Sequence, residues 1–281
     1  MKAIGVLCAR VRVEEKQIIT AVGVAGHAGM PVPPPSTPMP PGPASLDLAT
    51  LGGEEAANGA EGQSLDVVID RCPDRLLASV TLPIMRTAGI RILAAGLAGE
   101  GTRLDVARAL AVAGVPRPNC LVAFSEESGV EAASRIGYPS TLLPLTPGSG
   151  TTAMLDQDTA DAVIEHRVVL GKGPAAVILI QQGAPRDDER TIVHVVGGRA
   201  IAVEGNVTEV ESLAIAEHAA RVVGASIVAV ELVLLAGKIV VWDLHPVADF
   251  RKATLTGEQT MGEAIAELAI AGDDIVESVE S

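Results

Sequence analysis

The chain predicts an α/β fold built in lobes, on three observations. β-branched runs alternate with segments of helical apolar period from the N-terminus onward, the pattern of strands layered with helices. Hydrophobic residues make up 48% of the 281 residues, yet the aromatics are only two Phe, one Trp and one Tyr. The interior must therefore be Ala, Val, Leu and Ile, which suits sheets covered by helices. Near the C-terminus, Ile227-Val-Ala-Val-Glu-Leu-Val-Leu-Leu-Ala-Gly-Lys-Ile239 reads as a β-hairpin turning at Ala236-Gly237-Lys238, so an antiparallel layer is expected as well. A chain of this length can bury a substantial core and divides naturally into two or three lobes.

The first lobe, 1–98, reads as strand 3–8, helix 13–24, strand 65–69, helix 76–88 and strand 90–94, an alternation that implies a small parallel sheet. Within it, Pro31-Val-Pro-Pro-Pro-Ser-Thr-Pro-Met-Pro-Pro-Gly-Pro43 is polyproline-like, and 51–64 is rich in Gly, Ala and Glu. Residues 31–64 have few apolar anchors and are expected to be a disordered insert, with a proline-rich ligand for a partner domain as the alternative reading. The central lobe, 99–174, reads as helix 102–113, strand 120–123, helix 126–136, strand 138–145, the turn segment Thr146-Pro-Gly-Ser-Gly-Thr-Thr152, strand 153–155 and helix 159–166. The C-terminal lobe, 175–272, reads as strands 175–182, 191–196 and 199–203, helix 210–223, the hairpin, and a last helix 262–271. An acidic tail, 273–281, is expected to fray.

Composition also excludes. The net charge of −14 opposes nucleic-acid binding, which rests on neutralising phosphates. Cys8, Cys72 and Cys120 are odd in number and lack metal-ligand spacing, which reads as free thiols in a reducing compartment. The opening Met1-Lys-Ala-Ile-Gly-Val-Leu-Cys8 is soon interrupted by Arg10, Arg12 and Glu14, so it reads as a first strand rather than a signal peptide. No apolar stretch is long enough to span a membrane, and the expected location is cytoplasmic. There is no Walker A sequence, no Gly-x-Ser-x-Gly elbow, no strand followed by GxGxxG and no His-Glu-x-x-His.

The most informative segment is Ile239-Val-Val-Trp-Asp-Leu-His-Pro-Val-Ala-Asp-Phe-Arg-Lys252. Asp243 and His245 have strand spacing and leave the same face, and the hairpin brings Glu231 within reach of Asp243. Two carboxylates and an imidazole so placed form a candidate divalent-cation site. The same residues equally suit a sheet edge carrying solvated charges. His166 and His194 lack a partner at ligand spacing and read as structural.

These segments resemble the ATP-grasp superfamily. The resemblance is nearest to ligases joining amino acids to an amino-group carrier protein in lysine and arginine biosynthesis, with ligases that add glutamate to a ribosomal protein as wider relatives. The residues that carry it are Val11-Arg-Val-Glu-Glu-Lys16, Leu65-Asp-Val-Val-Ile-Asp-Arg71, Ala113-Gly-Val-Pro-Arg-Pro118, Gly137-Tyr-Pro139, Ile164-Glu-His-Arg167, Val195-Val-Gly197, Val228-Ala-Val-Glu-Leu232, Trp242-Asp-Leu-His245 and Asp249-Phe-Arg251. The resemblance implies an ATP-grasp fold with a parallel-sheet N-terminal lobe, a lid-like central lobe and a C-terminal lobe. It implies ATP with Mg²⁺ or Mn²⁺ as cofactors. Arg103 and the Gly148-Ser149-Gly150 loop are then at the phosphates, Gln181 and Gln182 at the nucleoside, and Glu231, Asp243 and His245 at the metal. No catalytic residue is assigned.

Departures from the family pattern weaken the chemistry. Leu143 stands where the family has a second phosphate-binding lysine, Arg103 replaces the first, and Ile192 stands where it has an arginine. Arg186 or Arg190 is a candidate substitute for that missing charge. The acceptor-side strip with its Arg-x-Asn element is absent, because Glu204-Gly-Asn-Val-Thr208 runs directly into the next helix. The expected protein is a carboxylate–amine ligase with impaired catalysis or a non-catalytic relative that binds nucleotide or a partner. The partner is a small acidic carrier protein or an active paralogue, and the chain is expected to form a homo-oligomer.

Overall fold

A computed structural model describes residues 1–35, 64–147, 150–170, 177–205, 210–247 and 249–272. The N-terminal lobe contains β1 (Ala3–Leu7), α1 (Val13–Val24), β2 (Ala28–Val32), β3 (Val67–Asp70), α2 (Arg75–Thr87) and β4 (Arg91–Leu93). Its sheet runs β2-β1-β3-β4, with every pair parallel. The strands are continuous apolar runs because both faces are covered. Ile4, Val6, Val67 and Ile69 face the cluster that holds Ile18 and Val22 of α1. Ala3, Leu7 and Val68 face Ala78, Leu82 and Met85 of α2. Asp74 caps α2 by accepting from the Leu77 amide.

One boundary is corrected here. Pro31 and Val32, expected at the start of the insert 31–64, belong to β2 and pair with Val6 and Leu7. A proline is tolerated there because β2 is an edge strand. Residues 36–63 of that insert and the tail 273–281 lie outside the described residues, as do Gly148 and Ser149.

Next come α3 (Leu97–Glu100) and α4 (Arg103–Val112). The helix expected at 102–113 was to open the central lobe, but Ala98, Val106 and Leu110 pack with Val193, Val223, Val228, Val241 and Leu244 of the C-terminal body. Gly96 makes this seating possible. At φ +54°, a Cβ there would lie 2.1 Å from the Val223 carbonyl oxygen.

The central lobe consists of β5 (Cys120–Ala123), α5 (Glu126–Ile136), β6 (Ser140–Pro144), β7 (Thr152–Met154), α6 (Gln157–Leu170) and β8 (Ile178–Gln182). Its antiparallel sheet runs β5-β8-β6-β7. The segment expected to open the third lobe thus supplies β8 to this sheet instead, between β5 and β6. Ile178 and Ile180 explain why, since they complete a core with Ala133, Leu142 and Ile164.

The C-terminal lobe contains β9 (Arg190–Val196), β10 (Arg199–Glu204), α7 (Val210–Val222), β11 (Ile227–Leu235), β12 (Lys238–His245), β13 (Thr254–Leu255) and α8 (Met261–Ile270). Its sheet runs β12-β11-β9-β10-β13 and is antiparallel. The last helix returns to the first lobe, where Ile265 and Ala269 of α8 share a core with Ile4, Ile18 and Val22. Charged residues reinforce that junction: Arg71 pairs with the buried Glu15 at 3.0 Å and lies 5.5 Å over the Phe250 ring. Both glutamates of the Val11–Lys16 motif are buried, Glu15 also accepting from the Arg12 amide. Among the described residues, no helix is long and apolar enough to cross a membrane.

Candidate functional site

The hairpin β11–β12 builds the floor of the cleft beneath the central lobe. Glu231 and Asp243 are direct cross-strand partners, so their side chains share a face, and His245 lies two residues along on the same side. The register then shifts. Leu232 pairs with Val241, which leaves Trp242 as an extra residue in β12. This bulge turns Trp242 and Asp243 toward the same side, the kind of re-aiming bulges provide next to functional sites.

Both carboxylates already have cationic partners. Arg103 grips Asp243 with two arms, Nη2 at 2.8 Å and Nε at 3.1 Å from Oδ2. Its Nη1 donates to the carbonyls of Pro144 at 2.9 Å and Thr146 at 3.0 Å. Glu231 is buried, with Arg190 Nη1 2.7 Å from Oε1 and His245 Nε2 2.6 Å from Oε2. Burial opposes protonation of His245, but its hydrogen bond to Glu231 and the charges of Asp243 and Glu231 outweigh that and raise its pKa.

The residues expected to hold a metal are thus brought together, but the two carboxylates accept from guanidinium groups and His245 hydrogen-bonds Glu231. Among the described residues, no group of three or more His, Cys, Asp or Glu is arranged to hold a metal ion. A divalent cation needs free oxygen lone pairs. The donor set does not fit one, because Arg103 and Arg190 already balance the two carboxylates.

The nucleoside positions are equally engaged. Gln181 is buried and its Nε2 donates to the Trp242 carbonyl at 3.2 Å, while Gln182 Oε1 accepts from Asn119 Nδ2 at 3.2 Å. Between the two sheets remains a cavity of about 30 Å³, lined by Arg103, Leu143, Leu179, Gln181, Trp242 and Asp243 among others. Sites for drug-sized ligands run from roughly 300 Å³ upward. Leu143 is 3% exposed and packs into this space. Of the expected phosphate loop only Gly150 is described, and it is exposed. A larger concavity of about 900 Å³ lies elsewhere, between α1 and α8, and is lined by none of the site residues.

Arg190 and Ile192 are on the same face of β9, two residues apart, and Ile192 sits in register beside Glu231, which Arg190 pairs. Arg186 instead pairs with Asp188 and Glu189 at the surface. Sequence reasoning placed Arg103 at phosphates and missed its pairing with Asp243. The available signal was the coexistence of an unmatched arginine and an unmatched carboxylate in one cleft. Of the remaining histidines, His166 is exposed, and His194 is buried with its ring edge-on to Phe250 at 6.2 Å. The cysteines are free thiols; burial raises the pKa of Cys8 to about 11 and also raises that of Cys72.

No family model matches the chain. It is similar to the alpha-aminoadipate–LysW ligase LysX of Sulfurisphaera tokodaii, with 24% identity over 201 residues, 70% of this chain. The match spans 66% of that ligase's length, just under two thirds. Among solved structures, the RimK domain ATP-grasp protein of Sphaerobacter thermophilus superposes with a TM-score of 0.73 at 24% identity, covering 96% of this chain and 100% of that one. The ATP-grasp ligase PsnB, solved with a minimal precursor, Mg and ADP, gives a TM-score of 0.64 at 18% identity, covering 95% and 97%. The chain thus shares the fold of these ATP-grasp proteins over nearly its whole length.

Proposed function

We propose that this chain is an ATP-grasp carboxylate–amine ligase-like protein whose own nucleotide chemistry is impaired. In this reading the fold is retained to bind a partner, a small acidic carrier protein or an active paralogue. The observation that carries the reading is Arg103, which spends its guanidinium on Asp243 above a cavity of about 30 Å³ instead of facing a phosphate. An active relative would form an acyl phosphate from a carboxylate and ATP, and an amine would then displace the phosphate. That reaction concentrates negative charge, and losing one stabilising group there typically costs about 2.7–4 kcal/mol. Here Leu143 and Ile192 supply no charge at two such places. The similarity to a ligase named for the LysW protein supports a carrier-type partner.

Calorimetric titration of the purified chain with ATP, with and without Mg²⁺, tests this. The expected result is no measurable binding below millimolar concentration. Leu143→Lys, which returns a cation beside buried Arg103, is expected to lower thermal stability without conferring ATP affinity. Micromolar ATP binding by the unmodified chain, with amide formation from a carboxylate and an amine, would overturn the proposal.

A further inference from the structure

We infer that Arg103 is a resident cation that latches the central lobe onto the C-terminal body without metal or nucleotide. The inference deepens the reading above and rests on it. Arg103 opens α4, which is rooted in the body through Val106 and Leu110. From there its guanidinium reaches three places at once: the Asp243 carboxylate on β12, and the Pro144 and Thr146 carbonyls where β6 leaves the central sheet. Its backbone amide adds a bond to the Leu145 carbonyl at 2.8 Å. A divalent cation bridging a body carboxylate to ligands held by the central lobe would have the same topology. A guanidinium performs it with fixed, forked donors and no dissociation equilibrium.

Burial gives the arrangement its strength. Arg103 is 7% exposed and the Asp243 side chain 10%, so salt and water screen the pair weakly. A neighbouring contact depends on the same closure: Gln181 of the central sheet reaches the Trp242 carbonyl at 3.2 Å. Arg190 completes the replacement by neutralising Glu231 from the adjacent strand. Closure in this protein is thus a property of the resting chain rather than a response to ligand.

Thermal melts and hydrogen exchange on the full chain test the latch. Unmodified protein should melt at the same temperature with chelator, millimolar Mg²⁺ or millimolar Mn²⁺. Arg103→Met should melt lower, and amide exchange in 140–144 and 238–245 should accelerate by about tenfold or more, while that of 67–70 in the N-terminal sheet stays unchanged. Arg103→Lys keeps the charge and loses the fork, so it should fall between the two. If Arg103→Met folds poorly, the double variant Arg103→Met/Asp243→Asn removes both partners, leaves no unpaired buried charge, and should still show the faster exchange. Mn²⁺-dependent stabilisation of the unmodified protein that Asp243→Asn abolishes would overturn the inference, as would unchanged exchange in the double variant. ATP binding with the latch intact would instead sink the functional proposal alone.

Discussion

A single buried imidazole can contribute to how stability depends on pH, and His194 is placed to do so. Burial, then repulsion from Arg71, holds its pKa down to about 4, against an ordinary 6.5. The folded protein therefore keeps this imidazole neutral while the unfolded chain begins to take up protons near pH 6.5. The contribution is fully present above that pH and lost as pH falls toward 4, reaching on the order of 3 kcal/mol. Urea titrations of the unmodified protein and His194→Leu at pH 7 and pH 5 check this. The variant is expected to lose much less stability between the two, and equal losses would show that other groups set the acid limb. At the same scale, Leu143, Ile192 and Arg103 were legible as departures from a motif. That Arg190 rather than Arg186 pairs with Glu231 was not, because two cations within the same loop and strand start were equally available by spacing.

Element by element, the local signals were strong wherever a helix has its own stop and start code. The helix α8 begins with a capping box: the Thr260 side chain accepts from the Glu263 amide, and Glu263 in turn accepts from the Thr260 amide. Thr260→Ala should cost about 1 kcal/mol, read as a lower midpoint in urea with an unchanged slope. A changed slope would mean that the docking of α8, rather than its first turn, has been disturbed. Strand β2 escaped notice because its sequence, Ala-Gly-Met-Pro-Val, carries neither β-branched density nor alternation. It forms because β1 offers an unpaired edge and Val32 reaches the core beneath α2. The bulge at Trp242 was equally silent, since an extra residue is a property of two strands paired, not of either one.

For the whole molecule, the decisive feature is that the last helix closes the first lobe. Ile265 of α8 is fully buried in a cluster drawn from β1, α1 and β3 as well as β10 and β11. Ile265→Ala should cost about 2–5 kcal/mol. Because the cluster spans both ends of the chain, the variant should still unfold in one transition. Separate transitions in circular dichroism and intrinsic Trp242 fluorescence would show that the lobes unfold independently.

Sequence by itself determined the α/β class, most helices and strands though not β2, α3 or β13, the small parallel sheet and the hairpin that pairs Glu231 with Asp243. All of these rest on short-range periods of 2 and 3.6 residues and on capping and turn residues, which neighbours in the chain carry. Tertiary structure decided the rest. It assigned β8 to the central sheet and α4 to the C-terminal body, because apolar faces choose partners by where a core remains to be filled. It also turned Arg103 from a candidate phosphate ligand into the partner of Asp243, 140 residues away. A buried charge goes to whatever opposite charge the fold brings within reach, and sequence spacing does not specify that distance.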